Sequence, residues 1–481
     1  MKKILLAASE CVPFIKTGGL ADVAGALPKY FDKENYDVRV ILPRYMCIPE
    51  KYRNQMYWIA NFYMYFNGRD RFVGVFKLEM NGVTYYFVDN EEYYSGSSPY
   101  TDARYDIEKF CFFCKAALAV LPTIGFQPDI IHCNDWHTGL IPVYLKTEFC
   151  RDLYYAGMKC VITIHNLKFQ GVWNIPDMKQ FTGFPDDLFT SDKLEFFGQG
   201  NMFKGGIVYS DAVTTVSDTY SHEVMTPFYG ERLDPLLAAR SNAFYGIVNG
   251  IDTEIFDPAN DPLIWKSYDV SNFRTNKKHN KQELQKQFGL AVDPHKMLVG
   301  IVSRLTDQKG FDLVARVFEE MLYEDMQFVI LGTGDRKYED MFRYFAGRYP
   351  DRVAACITYS EEVSHRIYAG TDAFLMPSLF EPCGLSQLIA LRYGSVPIVR
   401  ETGGLKDTVQ AYNEVENTGT GFSFANYNAH EMMATIRYAE HIFRDDKRRF
   451  NQIVERGMQQ DFSWHASARK YEALYDKVCG W

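Results

Sequence analysis

Short β-branched runs alternate with helical periods along the whole chain, and this alternation constrains the fold more than any other feature. In the first half the runs are residues 4–8, 38–42, 83–88, 129–133, 160–164, 212–216 and 245–248. In the second they are 298–302, 327–331, 353–357, 373–376 and 397–399. Continuous apolar runs read as buried parallel strands, which need helical crossovers between them. Two of the runs lead into the same signature. Thr17-Gly18-Gly19-Leu20-Ala21-Asp22 follows the first, and Thr402-Gly403-Gly404-Leu405-Lys406-Asp407 follows the last. A paired glycine after a strand lets backbone approach a ligand, and the next helix offers free amides and a positive dipole end to an anion. The chain therefore reads as two similar open-sheet lobes facing one polyanionic ligand, such as a sugar attached to a diphosphate.

At 481 residues, two or three domains are expected. The rhythm changes around Val248-Asn249-Gly250-Ile251-Asp252, and a polar, proline-bearing stretch follows. This places a hinge near 249–260, with an N-terminal domain over 1–248 and a C-terminal domain over 249–460. The segment 461–481 reads as one more amphipathic helix. Asn81-Gly82 between apolar stretches predicts a hairpin added to the first sheet.

The net charge of −9 argues against a nucleic-acid or acidic-membrane surface. The apolar start at residues 4–8 breaks at Ser9-Glu10 and runs into a glycine turn, so it reads as a strand rather than a leader. No run is long enough to span a bilayer. The ten cysteines are scattered. Cys111-x-x-Cys114 lies among Phe110, Phe112 and Phe113 with no second cysteine pair, and reads as apolar filling rather than zinc or redox chemistry. A reducing cytoplasm is the expected location. Aromatic residues crowd between Tyr57 and Tyr105, either as cross-strand packing or as a face for stacking sugars.

Candidate chemistry gathers at strand ends, where open parallel sheets bind ligands. Lys16 precedes the first glycine pair and can set an ammonium on a phosphate cradled by the amides of Gly18 and Gly19. Arg304 and Lys309 flank a short loop after residues 298–302 and can neutralise a departing diphosphate, or stand as an ordinary surface pair. Pro382 suits the first turn of a helix, so that the amides of Cys383, Gly384 and Leu385 would face a phosphate, with Glu381 beside the sugar. The alternative for Glu381 is an acid favoured by the helix dipole. His165-Asn166 and Asn134-Asp135-Trp136-His137 end two neighbouring strands and favour a polar substrate pocket, without metal-ligand spacing. No Asp-x-Asp occurs, which weighs against a diphosphate held through a divalent cation. Gly332-Thr333-Gly334-Asp335 is only a fragment of a dinucleotide motif.

Taken in order, these stretches resemble the glycogen synthase and starch synthase family of bacteria and plant plastids. The matching stretches are Lys16-Thr-Gly-Gly-Leu-Ala-Asp-Val23, Asn134-Asp-Trp-His137, His165-Asn-Leu-Lys-Phe-Gln-Gly171, Val248-Asn-Gly-Ile-Asp252, Ser303-Arg-Leu-Thr-Asp-Gln-Lys-Gly310, Glu381-Pro-Cys-Gly-Leu385 and Thr402-Gly-Gly-Leu405. The resemblance implies an α/β chain of GT-B fold, two Rossmann-like domains facing a deep cleft, with the last helix crossing back to the first. It implies transfer of glucose from ADP-glucose to the non-reducing end of an α-1,4-glucan with retention of configuration, and no metal or other cofactor. Carried over by position, Lys16, Arg304 and Lys309 resemble the diphosphate-binding cations. Gly18, Gly19, Cys383, Gly384 and Leu385 resemble the backbone donors. Asp135, His165, Asn249 and Glu381 resemble the residues around the transferred glucose. Tyr359 resembles the residue stacking on the nucleobase, although Thr358 stands where many relatives have glycine. Asp22 and Thr402 join the binding set through the paired signature. Asn134 replaces a residue that is often His, with little expected effect.

The mechanism so implied has no covalent intermediate: the acceptor 4-hydroxyl attacks from the face the diphosphate leaves, and domain closure excludes water. Double displacement by Glu381 is the alternative. A sucrose- or trehalose-pathway transferase is the nearest rival, an inactive glucan-binding scaffold a rival of another class, and a dehydrogenase a remote one.

Overall fold

A computed structural model describes all 481 residues. The chain divides into two compact units. The first comprises Met1–Val216, Ser221–Gly250 and Trp464–Trp481; the second comprises Ser217–Tyr220 and Ile251–Ser463. The passage between them falls after Gly250, so Asn249 belongs to the first unit rather than to the domain that a boundary at 249 assigns it.

The first unit is built on a nine-stranded sheet. Its strands are β1 Lys2–Ala7, β2 Tyr36–Pro43, β3 Tyr57–Phe66, β4 Arg69–Met80, β5 Val83–Asp89, β6 Ile130–Asn134 and β7 Lys159–Ile164, then β11 Ala212–Thr215 and β12 Phe244–Gly246. Between these, β8 Val172–Asn174, β9 Glu195–Phe196 and β10 Gln199–Asn201 form a small separate sheet. The order across the large sheet is β12-β11-β7-β6-β1-β2-β5-β4-β3. All neighbours are parallel except the β3–β4 and β4–β5 pairs. The Asn81-Gly82 hairpin joins β4 to β5, and a second Asn-Gly turn at 67–68 joins β3 to β4; both turns have positive φ. In the parallel part the strand order reverses between β1 and β6, so the loops leaving their carboxyl ends diverge and open a crevice.

The last helix, Trp464–Cys479, packs within this unit. The Tyr475 hydroxyl lies 2.6 Å from His132 Nδ1, Asp476 accepts a hydrogen bond from Tyr36 at 2.7 Å and pairs with Lys2, and Ser467 donates to the Val248 carbonyl. The aromatic crowd splits in two. Tyr85, Tyr86, Phe87, Tyr93 and Tyr94 are core, whereas Tyr57, Trp58, Tyr63 and Tyr65 stand exposed on edge strand β3. Cys111 and Cys114 are buried in the helix Ala103–Ala119 among phenylalanines.

The second unit carries a six-stranded, wholly parallel sheet: β13 Met297–Val302, β14 Met326–Leu331, β15 Val353–Cys356, β16 Ala373–Met376, β17 Val396–Arg400 and β18 Phe422–Phe424. Its order, β15-β14-β13-β16-β17-β18, is that of a dinucleotide-binding sheet, with the reversal between β13 and β16. Every residue of β14 and β16 is buried, as covering helices on both faces require. No helix is long and apolar enough to cross a membrane.

Candidate active site

In the first unit Lys16, Gly18, Gly19, Asp22 and Asp135 follow the two strands at the reversal, His165 follows the next strand β7 and Asn249 the edge strand β12; in the second unit Arg304, Lys309 and Glu381 follow the two strands at the reversal, Thr402 follows β17 and Tyr359 the edge strand β15. In the first, the loop after β1 holds Glu10, Lys16 and the first glycine pair. The buried Glu10 carboxylate accepts from the amides of Thr17 and Gly18, from the Thr17 hydroxyl at 2.8 Å and from the Tyr100 hydroxyl at 2.9 Å. Sequence reasoning missed Glu10, whose only signal was a charge breaking an apolar run. Gly18 keeps an extended backbone, and a Cβ added at Gly18 or Gly19 would meet nothing within 4 Å. These glycines are required neither by strain nor by crowding inside the chain, so the free space in front of them is the feature to explain. Lys16 reaches Asp22 at 2.7 Å in an exposed pair, leaving its ammonium loosely held.

The loops after β6 and β7 are tied to each other. Asp135 has φ +56°, a strained conformation for a non-glycine residue that the surroundings must hold in place. Its carboxylate accepts from the His165 amide at 2.8 Å. Burial drives its pKa up to about 7 despite hydrogen bonds from the amides of His165 and Asn166. Asn134 Nδ2 donates to the carbonyls of Ala7 and His132, which turns Oδ1 toward His165 Nε2 at 2.8 Å. His165 therefore carries its proton on Nε2 and keeps a lone pair on Nδ1. Burial lowers its pKa to about 3, so the ring is neutral at ordinary pH. Asn134, expected to matter little, thus fixes the tautomer. His137, stacked on Tyr100 at 5.1 Å, is also held neutral by burial. Asn249 is buried with its Oδ1 unpartnered.

Beside these loops the first unit opens a cavity of about 580 Å³. Trp136, Phe169, Trp173, Phe196 and Arg232 line it. Gly171 has φ +64°, and a Cβ there would lie 2.4 Å from the Trp136 ring, so this glycine lets the indole form the wall. Trp136 and Phe169 stood inside the matching stretches, but no charge or spacing marked them as a surface.

In the second unit, Ser303-Arg304-Leu305 leaves β13 and residues 377–385 leave β16, the two strands at the reversal. Arg304 is exposed and forms no ion pair. Lys309 Nζ lies 2.6 Å from Glu381 Oε2, and Ser378 donates to the same oxygen at 3.0 Å. Glu381 is only 6% exposed. Removing either partner of such a pair leaves a buried charge and costs about 3–5 kcal/mol. Gly332 and Gly334 have no room for a Cβ because the backbone at 303–305 lies against them, which makes this fragment a support for the Arg304 loop rather than a dinucleotide site. Tyr359, 80% exposed, projects from the loop between β15 and the helix Glu361–Gly370.

Two expectations are corrected. The helix after Glu381 begins at Ser386, with Leu385 at its N-cap, so Pro382 is not in its first turn; Gly384 makes a left-handed turn ahead of it at φ +72°. The amides of Cys383 and Gly384 therefore belong to a loop, and only that of Leu385 stands at the helix end. The second glycine pair is not open. A Cβ at Gly403 would lie 2.0 Å from the Glu381 carbonyl oxygen, and one at Gly404 would lie 2.0 Å from that of Cys383. The Gly404 amide donates to the carbonyl oxygens of Glu381 and Pro382. Thr402 is fully buried, and Asp407 accepts from the Thr219 backbone amide and hydroxyl. The second copy grips the Glu381 loop from beneath.

Comparison with known proteins agrees with this layout. The family model described as starch synthase catalytic domain matches residues 3–239, and that of glycosyl transferases group 1 matches residues 281–455. The glycogen synthase of Lachnospira eligens is 61% identical over 478 residues, spanning 99% of this chain and 100% of that protein. The glycogen synthase of Anoxybacillus flavithermus is 50% identical over 477 residues, 99% of this chain and 98% of that protein. The catalytic domain of starch synthase IV from Arabidopsis thaliana, solved with ADP and acarbose, matches with a TM-score of 0.90 at 32% identity, covering 100% of this chain and 99% of that one. A sucrose-phosphate synthase from Thermosynechococcus elongatus, at 17% identity and a TM-score of 0.62, shares the fold alone.

Proposed function

Because the chain belongs to the glycogen synthase and starch synthase family of GT-B glycosyltransferases, we propose that it moves glucose from ADP-glucose to the non-reducing end of an α-1,4-glucan with retention of configuration, releasing ADP. The observation that carries the reading is the pairing of Lys309 with Glu381 beside the unpaired Arg304, at the strand reversal of the second unit. A nucleotide sugar needs cations for its diphosphate and a carboxylate near the anomeric carbon, and this loop cluster offers both. Tyr359 supplies an exposed ring for the base, and a starch synthase relative was solved with ADP. The aromatic cavity of the first unit is the surface assigned to the glucan, since sugar faces stack on rings.

As the bond from anomeric carbon to diphosphate oxygen breaks, Arg304 and Lys309 take up the leaving charge, aided by Lys16 and the open amides at Gly18 and Gly19. The acceptor 4-oxygen bonds to the same carbon from the same face, and its proton passes to the departing diphosphate oxygen. Glu381 stabilises the positive character at the sugar. Neutral His165, with Nδ1 free to accept from a hydroxyl, orients the glucose without adding charge; Asp135 holds its loop. No metal or organic cofactor enters the proposed reaction, and the site of action is the cytoplasm, which suits ten unpaired thiols.

The test is ADP release from ADP-glucose on a glycogen primer, with UDP-glucose as competitor and with EDTA present. Glycogen-dependent release that favours ADP-glucose and survives the chelator is expected. Preference for UDP-glucose overturns the donor assignment, and loss with EDTA restored by manganese overturns the metal-free chemistry.

A further inference from the structure

The second unit contains a second concentration of positive charge, at the opposite ends of its strands from Arg304 and Glu381. Asp372 precedes β16, Gly394 precedes β17, and Pro294-His295 precede β13. At this amino edge a cavity of about 360 Å³ opens beneath the helices Phe273–Gln287, Ala429–Asp445 and Lys447–Met458. The basic segment Lys277-Lys278-His279-Asn280-Lys281, to which the transfer reaction gives no part, forms one wall.

Lys277 and Lys281 are four residues apart on one helix and are 9% and 3% exposed. Like charges at that spacing repel, and burial compounds the cost. Lys281 is compensated: Asp372 lies 2.6 Å from its ammonium, and the carbonyls of Pro294 and Lys296 accept from it. Lys277 has only the carbonyls of Tyr368 and Ala369, at 3.0 and 2.9 Å. Lys447 sits with its ammonium 3.4 Å from the Phe443 ring centroid and forms no ion pair. Asp372, already engaged, is the sole carboxylate lining the cavity. On the rim, Arg274 is paired with Glu455 and Arg444 with Glu440 and Asp445. Three ammonium groups, those of Lys277, Lys281 and Lys447, thus share the single carboxylate of Asp372, which is in direct contact only with Lys281. Burial pulls Lys277 down to about 7, while Lys447, exposed at the start of its helix, stands over the Phe443 ring. Capping of the helix Glu361–Gly370 explains Lys277's carbonyl bonds, but neither Lys447 nor the cavity.

We propose that this cavity is a binding site for a phosphate monoester carried on a small ring. A monoester dianion supplies the negative charge that one carboxylate shared among three ammonium groups falls short of, and Lys278 and His295 add donors at the mouth. Phe273, Phe450, Val454 and Pro294 give the apolar wall that a bare phosphate would leave uncovered. The volume suits one sugar or nucleoside ring and excludes a polymer.

The probe is phenyl phosphate, titrated calorimetrically into the full chain near pH 8, with inorganic phosphate, adenosine monophosphate and a hexose monophosphate as parallel arms. Saturable binding about tenfold tighter than inorganic phosphate is expected. Proton uptake from the buffer should accompany it, because the anion recharges the buried Lys277 amine, which is largely neutral at that pH. Lys447→Met should weaken binding about tenfold and reduce the uptake; Lys447 lies at the exposed start of its helix, and an unchanged melting temperature without ligand checks the fold. Lys277→Gln, which still donates to a carbonyl, should act in the same direction. Arg304→Ala, at the far edge of the sheet, should leave binding unchanged. Binding that survives Lys447→Met and Lys277→Gln but falls with Arg304→Ala overturns the proposal, because the ligand then occupies the donor loops. Absence of saturation overturns it too, and equal affinity for inorganic phosphate removes the ring from it.

Discussion

Two copies of Thr-Gly-Gly-Leu-x-Asp stand at corresponding places in two similar sheets, and they have opposite surroundings. At 18–19 an added methyl points into open space; at 403–404 it strikes backbone carbonyl oxygen. Asp22 pairs with a lysine of its own loop, whereas Asp407 accepts from Thr219 at the start of the helix Asp218–Glu223. One pair is glycine for what comes from outside, the other for what the chain itself presses against it. The contrast extends to charge. In the first unit burial keeps His165 uncharged and Asp135 half-protonated, beside the exposed Lys16–Asp22 ion pair. The second unit's site keeps its ions, in Lys309, Glu381 and Arg304.

The largest effect should come from Gly404→Ala. The Cβ cannot be accommodated without moving the backbone at 381–383, so we expect a loss of about 3 kcal/mol in stability together with most of the turnover. Thermal melts and initial rates check this; an active variant of unchanged melting temperature would erase the distinction between the copies.

Asp135→Asn sharpens the difference in charge. Asp135's folded pKa of about 7 lies above its unfolded value, so the native state binds the extra proton between roughly pH 4 and 7. By linkage, the wild type loses stability relative to the variant as pH rises through that window, and the difference levels off above it. The expected span is at most about 4 kcal/mol, roughly three pKa units at about 1.4 kcal/mol each, read from melting curves of both proteins at a series of pH values. A flat difference would mean that the carboxyl ionises normally. His165, lowered from its ordinary 6.5 to about 3, gives stability the opposite slope over nearly the same window, but it does so in both proteins and cancels in their difference.

The smallest effect is also the most discriminating. Gly19→Ala should leave stability unchanged or raise it by up to about 1 kcal/mol, because alanine favours the helix it begins. The KM for the donor should nonetheless rise about tenfold, or roughly 1.4 kcal/mol. Unaltered donor kinetics would show that nothing approaches that turn.

The difference between the copies was not legible in the sequence, because it depends on residues 381–383 lying under residues 403–404, a contact no local pattern reports. Strand ends were legible, because buried parallel strands read as unbroken apolar runs: 373–376 coincides with β16, and residues 298–302 miss β13 by one. The hairpin partner β3 was missed. It is an edge strand whose outward face, Tyr63 and Tyr65, is as aromatic as its inward face, the buried Met64 and Phe66, so no apolar–polar alternation marks it, although Asn67-Gly68 carried the turn signal read at Asn81-Gly82. β18 has three residues, too few for any periodicity. The position of Arg304, Lys309 and Glu381 was readable from strand ends alone, whereas the aromatic cavity needed β8 and its neighbours, which are short and half-exposed.

The contact of Lys2 with Asp476, 474 positions apart, has a consequence for biosynthesis. The unit encoded first depends on a closing helix that leaves the ribosome only after the whole of the second unit. The unit encoded second has all its segments by Ser463, before that helix emerges. Completion therefore runs against translation order: the later-encoded body can close on its own, while the earlier one waits with the surface around His132 and Tyr36 uncovered until Tyr475 and Asp476 arrive.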